Sequence, residues 1–145
     1  MMKKAKGFTL LELMIVVVII AIIAALAMFN YAKYGYRSRR VDGKEMLARV
    51  AAAEERYYTS FNAYTNSMTA LGYNASNPCS AAGCSDNGYY LISSANGATG
   101  DTQSYQLTAT PRGAQANDAC GSLGLDYKNV KTPAVGTKDT NGLCW

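Results

Sequence analysis

From Leu13 to Ala32 the chain runs for twenty residues without a charge, and Leu13–Phe29 is apolar throughout. A helix of that length rises ~30 Å, the thickness of a bilayer's hydrocarbon core. Beyond this run the pattern narrows to a one-sided stripe. Leu47, Val50, Ala51, Glu54, Tyr57, Tyr58 and Phe61 recur at spacings of three and four, with Glu54 as the single interruption. No proline falls between Asn30 and Phe61, and the other face carries Arg39, Arg40, Lys44, Glu45, Arg49 and Glu55. One helix is therefore predicted to continue to Phe61, its stripe serving as core. Glu45–Arg49 has the spacing of a favourable i,i+4 pair. The basic cluster Arg37, Arg39, Arg40 reads as a solvated face or a contact with a neighbouring acidic surface, and a phosphate-binding role is disfavoured by the interspersed acids. After Phe61 the composition shifts to Asn, Ser, Gly and Ala, and residues 62–87 read as a long connecting loop. Strands are predicted at Tyr89–Ser93, Ser104–Thr110 and Leu123–Tyr127, with Tyr105, Leu107 and Ala109 on one face. They make a small antiparallel sheet of three or four strands that packs on the stripe. Residues 128–145 show little periodicity.

Composition narrows the function classes. With 145 residues and 15.5 kDa there is room for one domain, and 49% hydrophobic against 17% charged residues excludes generic disorder. The chain has no histidine, so neither a Ser-His-Asp nor a Cys-His nucleophile can be built, and zinc loses its commonest nitrogen ligand. The formal charge of +4 comes largely from Lys3, Lys4 and Lys6; beyond residue 7 there are 11 basic against 10 acidic residues. These lysines precede the apolar run, which places the N-terminus in the cytoplasm and sends the rest outward. Cys79, Cys84, Cys120 and Cys144 all lie in that exported part, where disulfides form. Four cysteines allow three connectivities. Cys79–Cys84, across a four-residue Ser-Ala-Ala-Gly segment, and Cys120–Cys144, which pins an irregular tail, are the expected pairs. Their spacings do not fit zinc, and no metal or cofactor is expected. Asn74-Ala-Ser76 matches a glycosylation sequon and is read as chance.

A secretory signal would end the apolar run at a site such as Ala25-Leu26-Ala27, leaving Met28 first. The run is too long for that, and Glu12 stands at its start. A membrane-buried charge costs ~2.5–3.5 kcal/mol even on lenient scales and calls for a reason. One is a capping box, Thr9-x-x-Glu12. The other is a charge partner on a neighbouring chain.

The segment KGFTLLELMIVVVIIAIIAALA, residues 6–27, resembles the leader and helix start of type IV pilins and pseudopilins. The resemblance implies cleavage between Gly7 and Phe8 by a prepilin peptidase, N-methylation of Phe8, and pairing of Glu12 with the N-terminus of a neighbouring subunit. Removing seven residues from 145 leaves 138. Ala21 and Phe29 stand where many pilins have glycine and proline, which favours an unbroken helix. The head resembles the PilE/ComP-like minor pilins through Tyr105-Gln-Leu-Thr-Ala-Thr-Pro111, the stretch Asp118–Asp126 and Cys144-Trp145. The implied fold is α+β and type IV pilin-like: a long N-terminal helix, membrane-spanning in its first half, packed on a small antiparallel sheet. The implied organisation is a leader at 1–7, a transmembrane and filament-core helix at 8–29, an amphipathic helix at 30–61 and a β head at 62–145.

The function this implies is a pilus subunit, minor or major. It is stored in the bacterial inner membrane and polymerised into an extracellular filament serving adhesion, twitching motility or DNA uptake; it is not an enzyme. Other pilin subunits, the prepilin peptidase, the assembly platform and the membrane are the implied partners. A ComP-like DNA-binding pilin is the alternative, with Lys128, Lys131 and Lys138 as possible DNA contacts, although residues 62–145 hold four basic residues against five aspartates. A type II secretion pseudopilin is a further alternative, disfavoured by the paired cysteines and the Cys120–Asp126 segment.

Overall fold

The computed structural model describes residues 7–75, 78–97 and 100–145, with the backbone alone at residues 28–32. Lys3, Lys4 and Lys6, the sequon's Ser76, and the side chains of Met28 and Phe29 lie outside the described residues. A single helix, α1, spans Leu10–Phe61, 52 residues, or ~78 Å of axis. Thr9 caps it: its hydroxyl accepts the Glu12 backbone N–H at 3.2 Å, satisfying one of the four free donors at a helix start. Asn62 ends it in the left-handed conformation, returning its N–H to the Tyr58 carbonyl at 2.8 Å. Between the caps the helix runs without a break, as a chain lacking mid-helix proline should.

Six strands follow: β1 Tyr90–Asn96, β2 Tyr105–Pro111, β3 Leu123–Asp126, β4 Lys131–Thr132, β5 Lys138–Asp139 and β6 Gly142–Leu143. The first four form an antiparallel sheet in chain order, and β5 and β6 a separate hairpin. The register sets Ile92 opposite Ala109 and Leu107 opposite Leu125, so alternate residues Tyr90, Ile92, Tyr105, Leu107, Ala109, Leu123 and Leu125 fall on one face. That face closes on Met46, Leu47 and Val50 of α1, with Met68 from the loop at its margin. The fit is close. A Cβ built on Gly43 would stand 2.7 Å from the Tyr90 ring, so the absence of a side chain there lets the helix approach the sheet.

Several expectations need correcting. Phe61 does not join the core; it is 65% exposed, its ring tilted against that of Tyr57 at 4.4 Å. Glu54 is no interruption. It is fully buried, accepting from the Ser94 hydroxyl at 2.6 Å and the Thr65 N–H at 3.1 Å. Arg49 pairs with Asp86 across the loop at 2.8 Å in place of Glu45. Arg40 is not solvated but 1% exposed. The aperiodic tail contains three short strands: β4 pairs with β3, β5 with β6, and Arg40 of the helix holds the β5–β6 hairpin from about a hundred residues away.

Candidate functional site

Two parts of the molecule carry features that the core does not require. The first is the free half of α1. Leu10–Ala27 has a mean hydropathy of 3.1 and none of it is buried in the chain. A surface of that size is covered in water only by lipid or by other apolar surfaces. Gly7, Phe8 and Thr9 lead into it outside the helix, with Phe8 84% exposed. A Cβ on Gly7 would meet nothing within 4 Å, so nothing inside the chain demands a glycine there. Glu12 is exposed, one turn into the helix beside the Thr9 cap, and forms no ion pair among the described residues.

The second part is the clasp that joins the C-terminal tail to α1. Arg40 donates through Nε to Asp118 Oδ2 at 2.7 Å and through a terminal nitrogen to Asp139 Oδ2 at 2.7 Å; another reaches the Leu143 carbonyl at 2.7 Å. Gln115 and Asn141 donate to Asp118 from the flanks at 2.7 and 3.3 Å. Burial pushes the Asp118 carboxyl up, but the hydrogen bonds from Arg40 and Asn141 and the Arg40 charge outweigh it, holding the group below the ordinary carboxylate range. Gln115 also donates to the Tyr90 hydroxyl at 3.0 Å, and burial raises that phenol to about 12. Arg37 Nε donates to the Asn141 carbonyl.

The cysteines pair as Cys79–Cys84 and Cys120–Cys144, each with Cα atoms 5.7 Å apart. Sulfurs of Cys120 and Cys144 cluster with the Asp139 carboxylate, but bonded to each other they offer no thiolate to a metal. Cys144 places Trp145 against α1. The Trp145 indole N–H donates to the Thr132 carbonyl at 3.1 Å, and its ring lies 5.7 Å from the Lys44 ammonium and 5.2 Å from that of Lys131. Burial, then Arg40 and Lys131, lower the Lys44 pKa. Arg37, Lys44, Lys138 and Trp145 line a groove of about 450 Å³.

Of the three lysines singled out in the sequence, Lys131 and Lys138 reach this basic surface. Lys128 stands over Tyr127, 5.3 Å from its ring, and does not line the groove. Arg37 and Lys44 were missed as members because they come from the helix, a hundred residues away from Lys138. Only the disulfide joining Cys120 to the penultimate residue hinted that the tail returns to the body.

Comparison with known proteins adds independent findings. A family model described as "Type IV minor pilin ComP, DNA uptake sequence receptor" matches residues 30–124, and the prokaryotic N-terminal methylation motif matches residues 2–28. The type IV major pilin protein PilA of Myxococcus xanthus is 37% identical over 68 residues, 47% of this chain and 31% of that protein. The chain thus matches about a third of that relative's length. A solved type IV pilin from Shewanella oneidensis aligns with a TM-score of 0.52 and 30% identity, over 76% of this chain and 97% of that one.

Proposed function

The chain belongs to the ComP-like type IV pilins, and from that premise we propose that it is a pilus subunit, anchored in a membrane by Leu10–Ala27 and then drawn into a surface filament. One observation carries this: a fully exposed apolar helix of mean hydropathy 3.1 attached to a well-packed, disulfide-bonded head. The same surface serves both states, facing lipid before assembly and neighbouring helices after it. The family is one of structural subunits, and no residue is given a catalytic role.

Within this reading the chain divides into a leader at 1–7, a filament-core helix at 8–29, an amphipathic half at 30–61 and a head at 62–145. A peptidase acting on the cytoplasmic side cuts between Gly7 and Phe8, and Phe8 is N-methylated. The cut precedes the apolar run, so the anchor is retained. Glu12 then meets the amine of a neighbour's Phe8, where a low dielectric strengthens the pair and its geometry sets the stagger between subunits. Antibody raised against the head tests the reading. Gold label along surface filaments is expected, whereas label confined to the cell envelope contradicts it.

The basic groove supports a second reading, in which the subunit also binds DNA. Arg37, Lys44, Lys131 and Lys138 supply cations for phosphates, and Trp145 an aromatic face. A head with more acidic than basic residues predicts weak binding by the detergent-solubilised chain, falling steeply between about 50 and 200 mM salt. Replacing Lys131 and Lys138 by alanine is expected to remove most of it. Tight binding indifferent to salt contradicts this electrostatic account.

A further inference from the structure

Two clefts of opposite charge flank one exposed ridge of α1. Arg37 and Lys44, seven residues apart, share a face of the helix; Ser38 and Glu45, also seven apart, share the face ~100° round. The ridge between them carries Tyr34 and Val41, 70% and 58% exposed, followed by the exposed Ala48 and Ala52. The basic groove lies on the Arg37 side, with Lys138 adding a third cation. On the Glu45 side is a cleft of about 480 Å³ whose lining includes Ser38, Asp42, Glu45, Asp86 and Tyr89.

Three carboxylates line the second cleft against a single cation, Arg39. That guanidinium is already engaged, 5.1 Å from the Tyr89 ring and donating to the Ala114 carbonyl at 3.3 Å. Asp42 Oδ1 accepts from the Asn87 N–H and side-chain amide, while its Oδ2 is buried with no donor among the described residues. Asp86 holds Arg49 in an exposed pair, of the kind that contributes little and exchanges readily. The Lys138 ammonium, across the ridge, forms no hydrogen bond or ion pair among the described residues.

We propose that the acidic cleft at Asp42, Glu45 and Asp86 receives the basic groove of a second copy of this chain, with Lys138 of one copy facing Glu45 and Asp86 of the other. This rests on the reading of the chain as a filament subunit. The contact is heterologous: it joins two different patches, so each copy that engages one leaves its other open, and the contact propagates instead of closing into a dimer. The apolar ridge continues along the same helix as the exposed Leu10–Ala27 segment. The charges therefore border an apolar contact, where complementarity fixes register and rejects misaligned neighbours. A further consequence is competition, since a groove filled by a neighbour is closed to DNA.

The test uses the full chain in piliated cells. Glu45→Lys and Lys138→Glu, made separately, are each expected to lower the chain recovered in sheared filaments at least tenfold while its membrane level holds. The two exchanges together restore the contact between positions 45 and 138 with reversed sign while Asp86 is unchanged, and recovery is expected to rise at least threefold above either single variant. Carbodiimide treatment of native filaments is expected to give a species of twice the chain's mass in which Glu45 or Asp86 is coupled to Lys138. Native recovery for both single variants, failure of the double exchange to rescue, or coupling only at other residues overturns the proposal. If the reversals are silent while Glu12→Ala still removes the chain from filaments, the contact is wrong and the subunit reading stands. If the native chain is itself absent from filaments, the subunit reading falls and the contact with it.

Discussion

Arg40 illustrates how one side chain joins remote parts of the sequence. Its guanidinium binds Asp118, Asp139 and the Leu143 carbonyl from a position 1% exposed. Arg40→Ala leaves Asp118 charged and buried without its partner, a loss of about 3–5 kcal/mol. Thermal melting of the full chain in detergent is expected to show a large drop, and an unchanged midpoint refutes the role. Asp118 titrates lower in the folded chain than when unfolded, so its contribution is complete above the ordinary carboxylate range and disappears as pH falls below it. Glu54 has the opposite sign. Burial raises its carboxyl against the hydrogen bonds from Ser94 and Thr65, so the folded chain binds more protons than the unfolded one, and stability declines as pH rises above ~4.3. Glutamine keeps both contacts: its carbonyl accepts from the Thr65 N–H, and its amide donates to Ser94, whose hydroxyl turns to the Thr65 carbonyl 3.1 Å away. Glu54→Gln is therefore expected to match or exceed the native midpoint at pH 7, with a change of about 1 kcal/mol at most. Its advantage is expected to shrink towards pH 4. An advantage that does not vary with pH contradicts the assignment.

At the scale of elements, the tail from Lys128 onward depends most on its covalent tie. Cys120–Cys144 closes a span of 24 residues, worth about 3–4 kcal/mol by loop entropy. Replacing both cysteines by serine is expected to lower the melting midpoint more than the same change at Cys79 and Cys84, which are five residues apart. Equal effects count against the clasp. Legibility in the sequence follows the range of the forces at each element. α1 was readable to its last residue because its apolar run and stripe are local patterns, and β2 because Tyr105, Leu107 and Ala109 alternate cleanly. β1 was readable in part: Ser94 to Asn96 fell beyond the predicted Tyr89–Ser93 and are strand because β2 supplies their partners. β4, β5 and β6 have two residues each, too short for any period to register. Arg40 was misread for a related reason: on a helical wheel a charge off the stripe looks solvated, and only the tail folds over to bury it. Glu54 was read on the stripe, but its partner Ser94 comes from a strand that the stripe does not reveal.

For the whole molecule, the division of labour is spatial. One end of α1 offers an apolar surface with no cover of its own, and the other organises a head whose sheet, loop and tail all return to the helix. Glu12 sits near the exposed end of the helix that the proposed subunit packs against its neighbours. Glu12→Ala is expected to leave the chain folded and membrane-inserted but scarce in filaments, and normal incorporation rejects its pairing with a neighbour. Lys128, Lys131 and Lys138 were visible in the sequence as a loose basic stripe; the groove that Lys138 lines, with Lys131 beside it over Trp145, was not, because Arg37 and Lys44 complete it from the helix. The central claim, that this chain is a processed subunit of a surface filament, is tested most directly by intact-mass and N-terminal analysis of sheared filaments. The account predicts a chain beginning at an N-methylated Phe8, with Met1 to Gly7 removed and both disulfides formed. A chain beginning at Met28, or one absent from the filaments and found only as the uncut precursor, contradicts it.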